Sequence, residues 1–252
     1  MAVRTKKKIL ISNDDGIHSE GIKALAKAMK SLGEVYVVAP DRERSASSHS
    51  LTLYHPLRVD EVAKNWYAVD GTPTDCVNLA INGILKQRPD LVIAGINKGP
   101  NMGDDITYSG TVSVAMEGTL LGVPSIAMSL TAKGNFNFNP AAEFAKRLAK
   151  FVLKNGLPKD TLLNVNVPDI ESEKIKGHMV TKQGKRVYGD AVVEKTDPRG
   201  RKYYWIGGDD LGFVHSKDSD FLAISKGYIS VTPIHLDLTN HASLKEIRKW
   251  TL

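Results

Sequence analysis

Cysteine is nearly missing from this chain: Cys76 is the only one among 252 residues. That excludes an intrachain disulfide and a cysteine-rich zinc site. A cysteine phosphatase loop is excluded as well, because Arg would have to stand six positions after Cys76, where Asn82 is found. Cys76 itself reads as a small buried side chain. No apolar run approaches the roughly 18 residues that cross a bilayer, and the N-terminus has no signal-peptide apolar stretch. A soluble, cytoplasmic protein without a membrane partner is the expectation. There is no Gly-x-x-x-x-Gly-Lys-Ser/Thr loop, and no Gly-x-Gly-x-x-Gly follows the first strand, which counts against a dinucleotide cofactor. Internal repeats and low-complexity segments are also missing.

What is there is an alternation. Ile9–Ile11, Val35–Val38, Leu91–Ile93, Ser125–Met128 and Leu162–Val165 are short apolar runs with strand character. Between them lie helical faces at i, i+3, i+4, i+7 spacing: Ile22, Leu25, Ala26 and Met29; Val77, Ala80, Ile81 and Ile84; Phe144, Ala145, Leu148, Phe151 and Val152, entered through Pro140. Strands apolar without alternation, separated by helices, predict a doubly wound α/β fold around a mostly parallel sheet. Residues 1–170 are expected to form this core. After Pro168 the texture changes, and 171–252 are expected to form a separate hairpin and oligomerisation region that returns to the core. There a turn at Asp197-Pro198-Arg199-Gly200 joins two extended stretches into an arm with few neighbours of its own, expected to dock on another subunit. Tyr228–Ile234 regains strand character, and Leu244, Ile247 and Trp250 predict a closing helix. The net charge of +6 owes something to Arg4 and Lys6-Lys7-Lys8, a short run that reads as a solvated tail. The surplus fits an anionic small substrate.

Chemistry gathers where the strands end, as it does in open α/β sheets. After Ile9-Leu10-Ile11 comes Ser12-Asn13-Asp14-Asp15-Gly16, two adjacent carboxylates that repel at neutral pH. A divalent cation offsets that repulsion and makes both acids useful; a helix cap by one of them is the plainer alternative. The aspartyl-phosphate hydrolases separate their two acids by one residue, so that chemistry does not match. The second strand runs into Asp41–Ser50, dense in hydroxyls and charge, and the strand at Leu91–Ile93 runs into Gly95–Gly103, with three glycines and two amides. Either is a ligand loop or an ordinary turn. Ser109-Gly110-Thr111 opens a helix with free backbone N–H groups, which suits a phosphate or an N-cap alone. Thr72-Pro73-Thr74-Asp75 has capping-box spacing and reads as structural. His49, His215 and His235 stay outside the catalytic set.

Taken together, "NDDG" at 13–16, "APDRERSASSHS" at 39–50, "GTPTDC" at 71–76, "GINKGPNMG" at 95–103, "SGTVSVAMEG" at 109–118 and "YISVTPIHLDLT" at 228–239 resemble the SurE family, the stationary-phase survival proteins. The resemblance spans nearly the whole chain and is looser over 169–225. It implies a Rossmann-like core with a protruding hairpin and a swapped C-terminal segment, assembled as a homodimer or homotetramer. It implies one divalent metal ion per subunit, held by Asp14, Asp15, Ser45 and Asn97, with Asn101, Ser109, Gly110 and Thr111 binding the substrate phosphate. Oxygen-only donors favour Mg²⁺ or Mn²⁺ over zinc. The implied activity is hydrolysis of nucleoside 5′- and 3′-monophosphates, with polyphosphate a further substrate in some members. Asp14 and Asp15 are then the catalytic acids, Asp14 the first candidate to touch the nucleophile. The competing expectations are a non-hydrolytic nucleotide- or nucleic-acid-binding protein, supported by the charge and by Lys182, Lys185 and Arg186, and a phosphatase of another small phosphomonoester.

Overall fold

The computed structural model describes residues 6–132, 134, 136–188, 192–206 and 210–251; Arg4 of the basic tail lies outside them. At the centre is a nine-stranded sheet. Its middle is parallel: β1 (Lys8–Ser12) lies between β2 (Glu34–Pro40) and β5 (Leu91–Lys98), with β6 (Ser125–Leu130) and β7 (Thr161–Val167) beyond β5. On the far side of β2, β4 (Trp66–Val69) pairs in parallel and β3 (Val59–Ala63) closes that edge as its antiparallel partner. The 51–70 segment carried no strand expectation. Its β3 is exposed along its whole length, so no burial pattern marked it.

The apolar strands are buried on both faces for the predicted reason. Ile9 and Ile11 pack with Ile22, Leu25 and Met29 of α1 (Glu20–Met29) and with Ala141 and Phe144 of α4 (Asn139–Asn155). Leu10, one residue out of phase, packs with Val77 of α2 (Pro73–Leu79) and with Val112 and Ala115 of α3 (Gly110–Leu120). Successive side chains of a strand point to opposite faces, so one three-residue run anchors both helical layers. Each fully buried Ile or Leu contributes about 2 kcal/mol. The helical faces are as expected with two exceptions. Phe151 belongs to the α4 pattern yet is 63% exposed, and the second face breaks after α2 into a π turn at Ala80–Ile84.

The C-terminal part adds to the same sheet. β13 (Ile229–His235) runs antiparallel beside β7, and β8 (His178–Val180) follows at the edge. β10 (Val192–Thr196) and β11 (Lys202–Ile206) form the expected hairpin, its turn closed by Asp197 N–H to Arg201 O and Gly200 N–H to Asp197 O. At its base β9 (Arg186–Tyr188) pairs with β12 (Asp210–Phe213); position 208, the end of the hairpin region, lies outside the described residues. α5 (Asp220–Ser225) precedes β13. The closing helix is one turn, α6 (Leu244–Ile247), with Ile247 and Trp250 exposed.

Candidate active site

β2 leaves β1 on one side and β5 leaves it on the other, so β1 and β5 flank the point where the winding reverses. Loops beyond the carboxyl ends of strands part there and leave a crevice. A cleft of about 310 Å³ occupies it, lined by Asp14, Asp15, Glu43, Ser45, Asn97, Lys98, Asn101, Asp105, Tyr108 and Ser109, among others. Residues from three strand ends and one helix N-terminus converge in it. Gly110 and Thr111, the other two members of the expected phosphate turn, stand directly behind Asp14.

Asp14 is nearly inaccessible at the end of β1. Its Oδ1 accepts a short 2.5 Å hydrogen bond from Thr111 Oγ1, and its carbonyl accepts the N–H of Arg44 at 2.8 Å. A Cβ on Gly110 would lie 2.7 Å from Asp14 Cβ and 2.8 Å from its Oδ2. Glycine at 110 is therefore what lets the first turn of α3 press against the acid. Asp15 is less enclosed and accepts the Lys98 N–H at 3.3 Å across β5. Burial pushes the Asp14 carboxyl up from its ordinary range, against the pull of Thr111. Asp15 is pushed up to about 6, by burial first and by the charge of Asp14 second. Two acids raised together form a site short of positive charge.

Neither acid caps the following helix, so the plainer alternative is set aside. Ser19 takes that role, its Oγ accepting Ile22 N–H, while Gly16 (φ +91°) makes the turn and Asn13 Nδ2 braces it through Gly16 O and Ser19 Oγ. Thr72 and Asp75 form the expected capping box on α2, and Ser109 caps α3 through Val112 N–H.

Asn97 reaches the cleft through an irregularity. The register between β5 and β6 shifts between Ala94 and Asn97, around Gly95 (φ +109°) and a cis Gly95–Ile96 peptide. Such a bulge re-aims the residues that follow. Ile96 turns into the core, where its carbonyl would lie 2.0 Å from a Cβ on Gly21 of α1, and Asn97 faces the acids. Its Nδ2 donates to Gly99 O, so its Oδ1 is the end available to a cation.

Asn101 is held by residues the sequence did not point to. Asn166 Oδ1 accepts its backbone N–H at 2.9 Å, and its carbonyl accepts Asn164 Nδ2 at 2.8 Å and Asn166 Nδ2 at 2.9 Å. Its own Nδ2 donates to Ser129 Oγ at 2.8 Å and keeps a second hydrogen. The available signal was a pair of amides two apart in the largely buried strand β7. Asp220, also unforeseen, accepts the N–H groups of Gly103, Gly184 and Phe221 and so ties the base of the hairpin to the cleft loop.

Among the described residues no three His, Cys, Asp or Glu side chains are grouped to hold a metal. The donor set that does converge is two carboxylates, one amide oxygen and the Ser45 hydroxyl, which donates to Glu43 Oε1 at 2.7 Å and keeps its lone pairs. Hard, oxygen-only and centred on repelling acids, it fits a divalent ion of the magnesium or manganese kind. The histidines have other work: His215 lies against Phe213 with ring centroids 5.1 Å apart, and His235 Nδ1 accepts Asp237 N–H. The basic trio behind the nucleic-acid alternative is broken up, since Arg186 bonds Asp105 at 2.8 Å and covers the Phe221 ring.

The chain is similar to known proteins over nearly its whole length. Residues 9–190 match the family described as "Survival protein SurE". The chain is 58% identical over 245 residues to the 5′-nucleotidase SurE of Geobacter sulfurreducens, covering 97% of this chain and 94% of that one. It is 57% identical over 246 residues to the 5′-nucleotidase SurE of Geotalea uraniireducens, covering 97% and 99%. The crystal structure of the SurE protein from Aquifex aeolicus superposes with a TM-score of 0.87 at 50% identity, covering 96% of this chain and 98% of that one.

Proposed function

The chain belongs to the SurE family, and from that premise we propose that it is a metal-dependent nucleotidase, a hydrolase of phosphoric monoesters that cleaves nucleoside monophosphates to nucleoside and phosphate. The observation that carries the reading is the charge of the cleft. Asp14, Asp15 and Glu43 line it against Lys98, Asp105 being paired with Arg186, so a phosphate would be repelled unless a cation lay between. Asp14, Asp15, Ser45 and Asn97 would hold that cation, one Mg²⁺ or Mn²⁺ per subunit. Bound there, it supplies Lewis-acid stabilisation of charge on the phosphoryl oxygens.

The chain's own groups do the rest. The first turn of α3 offers the Gly110 N–H and the positive end of the helix dipole to the phosphate, while the Thr111 N–H, like its hydroxyl, is turned to Asp14. The Ser109 hydroxyl and the second amide hydrogen of Asn101 add donors, the latter fixed in place by the Asn164 and Asn166 clasp. Asp14, wedged between Thr111 and Gly110, is positioned to orient the attacking oxygen and to accept its proton. Tyr108, exposed at the rim, leaves room for the nucleoside.

The exposed arm supports assembly. Tyr204, Trp205 and Ile206 point outward, Ile206 at 89% exposure, and a monomer rarely leaves such side chains together in water. We assign them, with the exposed C-terminal segment, to contacts within a homodimer or homotetramer that includes a C-terminal swap. No helix of the described residues is long and apolar enough to cross a membrane.

The test is phosphate release from 5′- and 3′-nucleoside monophosphates, sugar phosphates and polyphosphate, in chelator and after adding Mn²⁺ or Mg²⁺. Turnover of nucleotides that vanishes in chelator and returns with metal is expected, with Asp14→Asn inactive though folded. Undiminished AMP cleavage in chelator would overturn the reading.

A further inference from the structure

The site leaves a buried acid of α3 unused. Glu117 lies six residues along α3 from Thr111 and is 5% exposed. A carboxylate so enclosed is costly unless hydrogen-bonded, and its two partners come from different parts of the molecule. Asn78 Nδ2 of α2 donates to Oε1 at 2.8 Å. Nε2 of His49 lies 2.9 Å from Oε2. An ionised carboxylate only accepts, so Nε2 carries the hydrogen of that bond, and the bond holds the Glu117 carboxyl below its ordinary range.

His49 stands four residues beyond Ser45, in the loop that follows β2. Its side chain is 31% exposed: one face is in water and the tip is fixed on α3. The loop needs fixing. Ala46 (φ 56°) and Ser48 (φ 53°) both lie in the left-handed region, which is unfavourable for any residue with a Cβ. Such a conformation persists only where surrounding contacts over-determine it. The contacts present run from Arg44 N–H to Asp14 O, from Ser48 N–H to Tyr108 O, from Thr72 Oγ1 to Ser50 O, and from His49 to Glu117. The last reaches the body of the helix whose first turn abuts Asp14.

We infer that Glu117 and His49 form a latch that holds the Ser45 loop over the acidic pair, both acting as positioning residues through that loop. What the loop helps to hold, a divalent ion, rests on the nucleotidase reading; the latch itself rests on the contacts. One helix then sets both halves of the site, the Asp14 contact through its N-terminus and the Ser45 hydroxyl through Glu117.

His49 is the residue to change, because its partly exposed ring can be lost without opening the core. The full-length protein is compared as His49→Ala, which removes the donor, and His49→Gln, which keeps an N–H of similar reach. Hydrogen exchange of the 42–48 amides is followed without metal, and Mn²⁺ binding by titration of the free-ion spin-resonance signal. His49→Ala should exchange about tenfold faster over 42–48 and bind Mn²⁺ about tenfold more weakly, the size expected for losing one charge-assisted hydrogen bond. Its kcat at saturating Mn²⁺ should stay within about twofold, and His49→Gln should recover most of both losses. Unchanged exchange over 42–48 in His49→Ala overturns the latch, and so does a glutamine variant as impaired as the alanine one, since that demands imidazole itself. If the unaltered protein bound no Mn²⁺, the metal site would have failed while exchange still decided the latch.

Discussion

At the scale of single residues, the balance between Asp14 and Asp15 sets how the protein answers to pH. An acid whose folded pKa lies above its unfolded one favours the folded state at low pH, and that contribution is lost as pH rises through the folded value. Without metal, the pair should therefore cost stability as pH rises from near 4 through about 6, where Asp15 titrates. A cation competes with the same protons. Apparent Mn²⁺ affinity should fall by up to roughly tenfold per pH unit as the solution is acidified below about pH 6, and Asp15→Asn should flatten that slope. Titrations at about pH 5 and about pH 7.5 would check it; equal affinity at both would remove Asp15 from the ligand set. Much at this scale was legible. The place of Asp14 and Asp15 after a buried strand marked the cleft they line, and capping spacing signalled α2. The contact of Gly110 with Asp14 was not legible, because it depends on how closely a helix approaches a strand.

At the scale of elements, periodicity located β1, β2, β5, β6, β7 and β13 and the buried faces of α1 and α4, because each has enough apolar residues to state its burial unaided. It missed β3, whose side chains are all exposed. It also took Phe151 as buried, because a helical pattern states a direction and only the packed neighbours decide how far the covered stripe extends. The loops that line the cleft were ambiguous alone and were singled out only through their order along the chain. The clasp on Asn101 and the role of Asp220 are tertiary contacts with faint local signals. Asp220 carries a clear expectation. Asp220→Ala would leave the amides of Gly103, Gly184 and Phe221 without their carboxylate acceptor, and should lower stability by about 2–4 kcal/mol. Denaturant unfolding at unchanged m-value would measure this; a loss under about 0.5 kcal/mol would mean that other acceptors take over.

At the scale of the molecule, the core sheet carries the cleft and the arm supplies part of the apolar surface left in water. Trp205→Ser with Ile206→Ser should shift the mass measured by light scattering toward a smaller assembly while far-ultraviolet circular dichroism stays unchanged. An unaltered mass would move the subunit contact elsewhere. Inside each subunit, the layers meet at bare main chain: Gly21 of α1 rests on the Ile96 carbonyl, Gly95 on that of Met128, and Gly110 on Asp14. None of these spots has space for one more methyl. The alignment of the cleft's side chains thus hinges on places that offer no chemistry whatever, so inherited damage to this protein would often arrive as the gain of a single carbon atom.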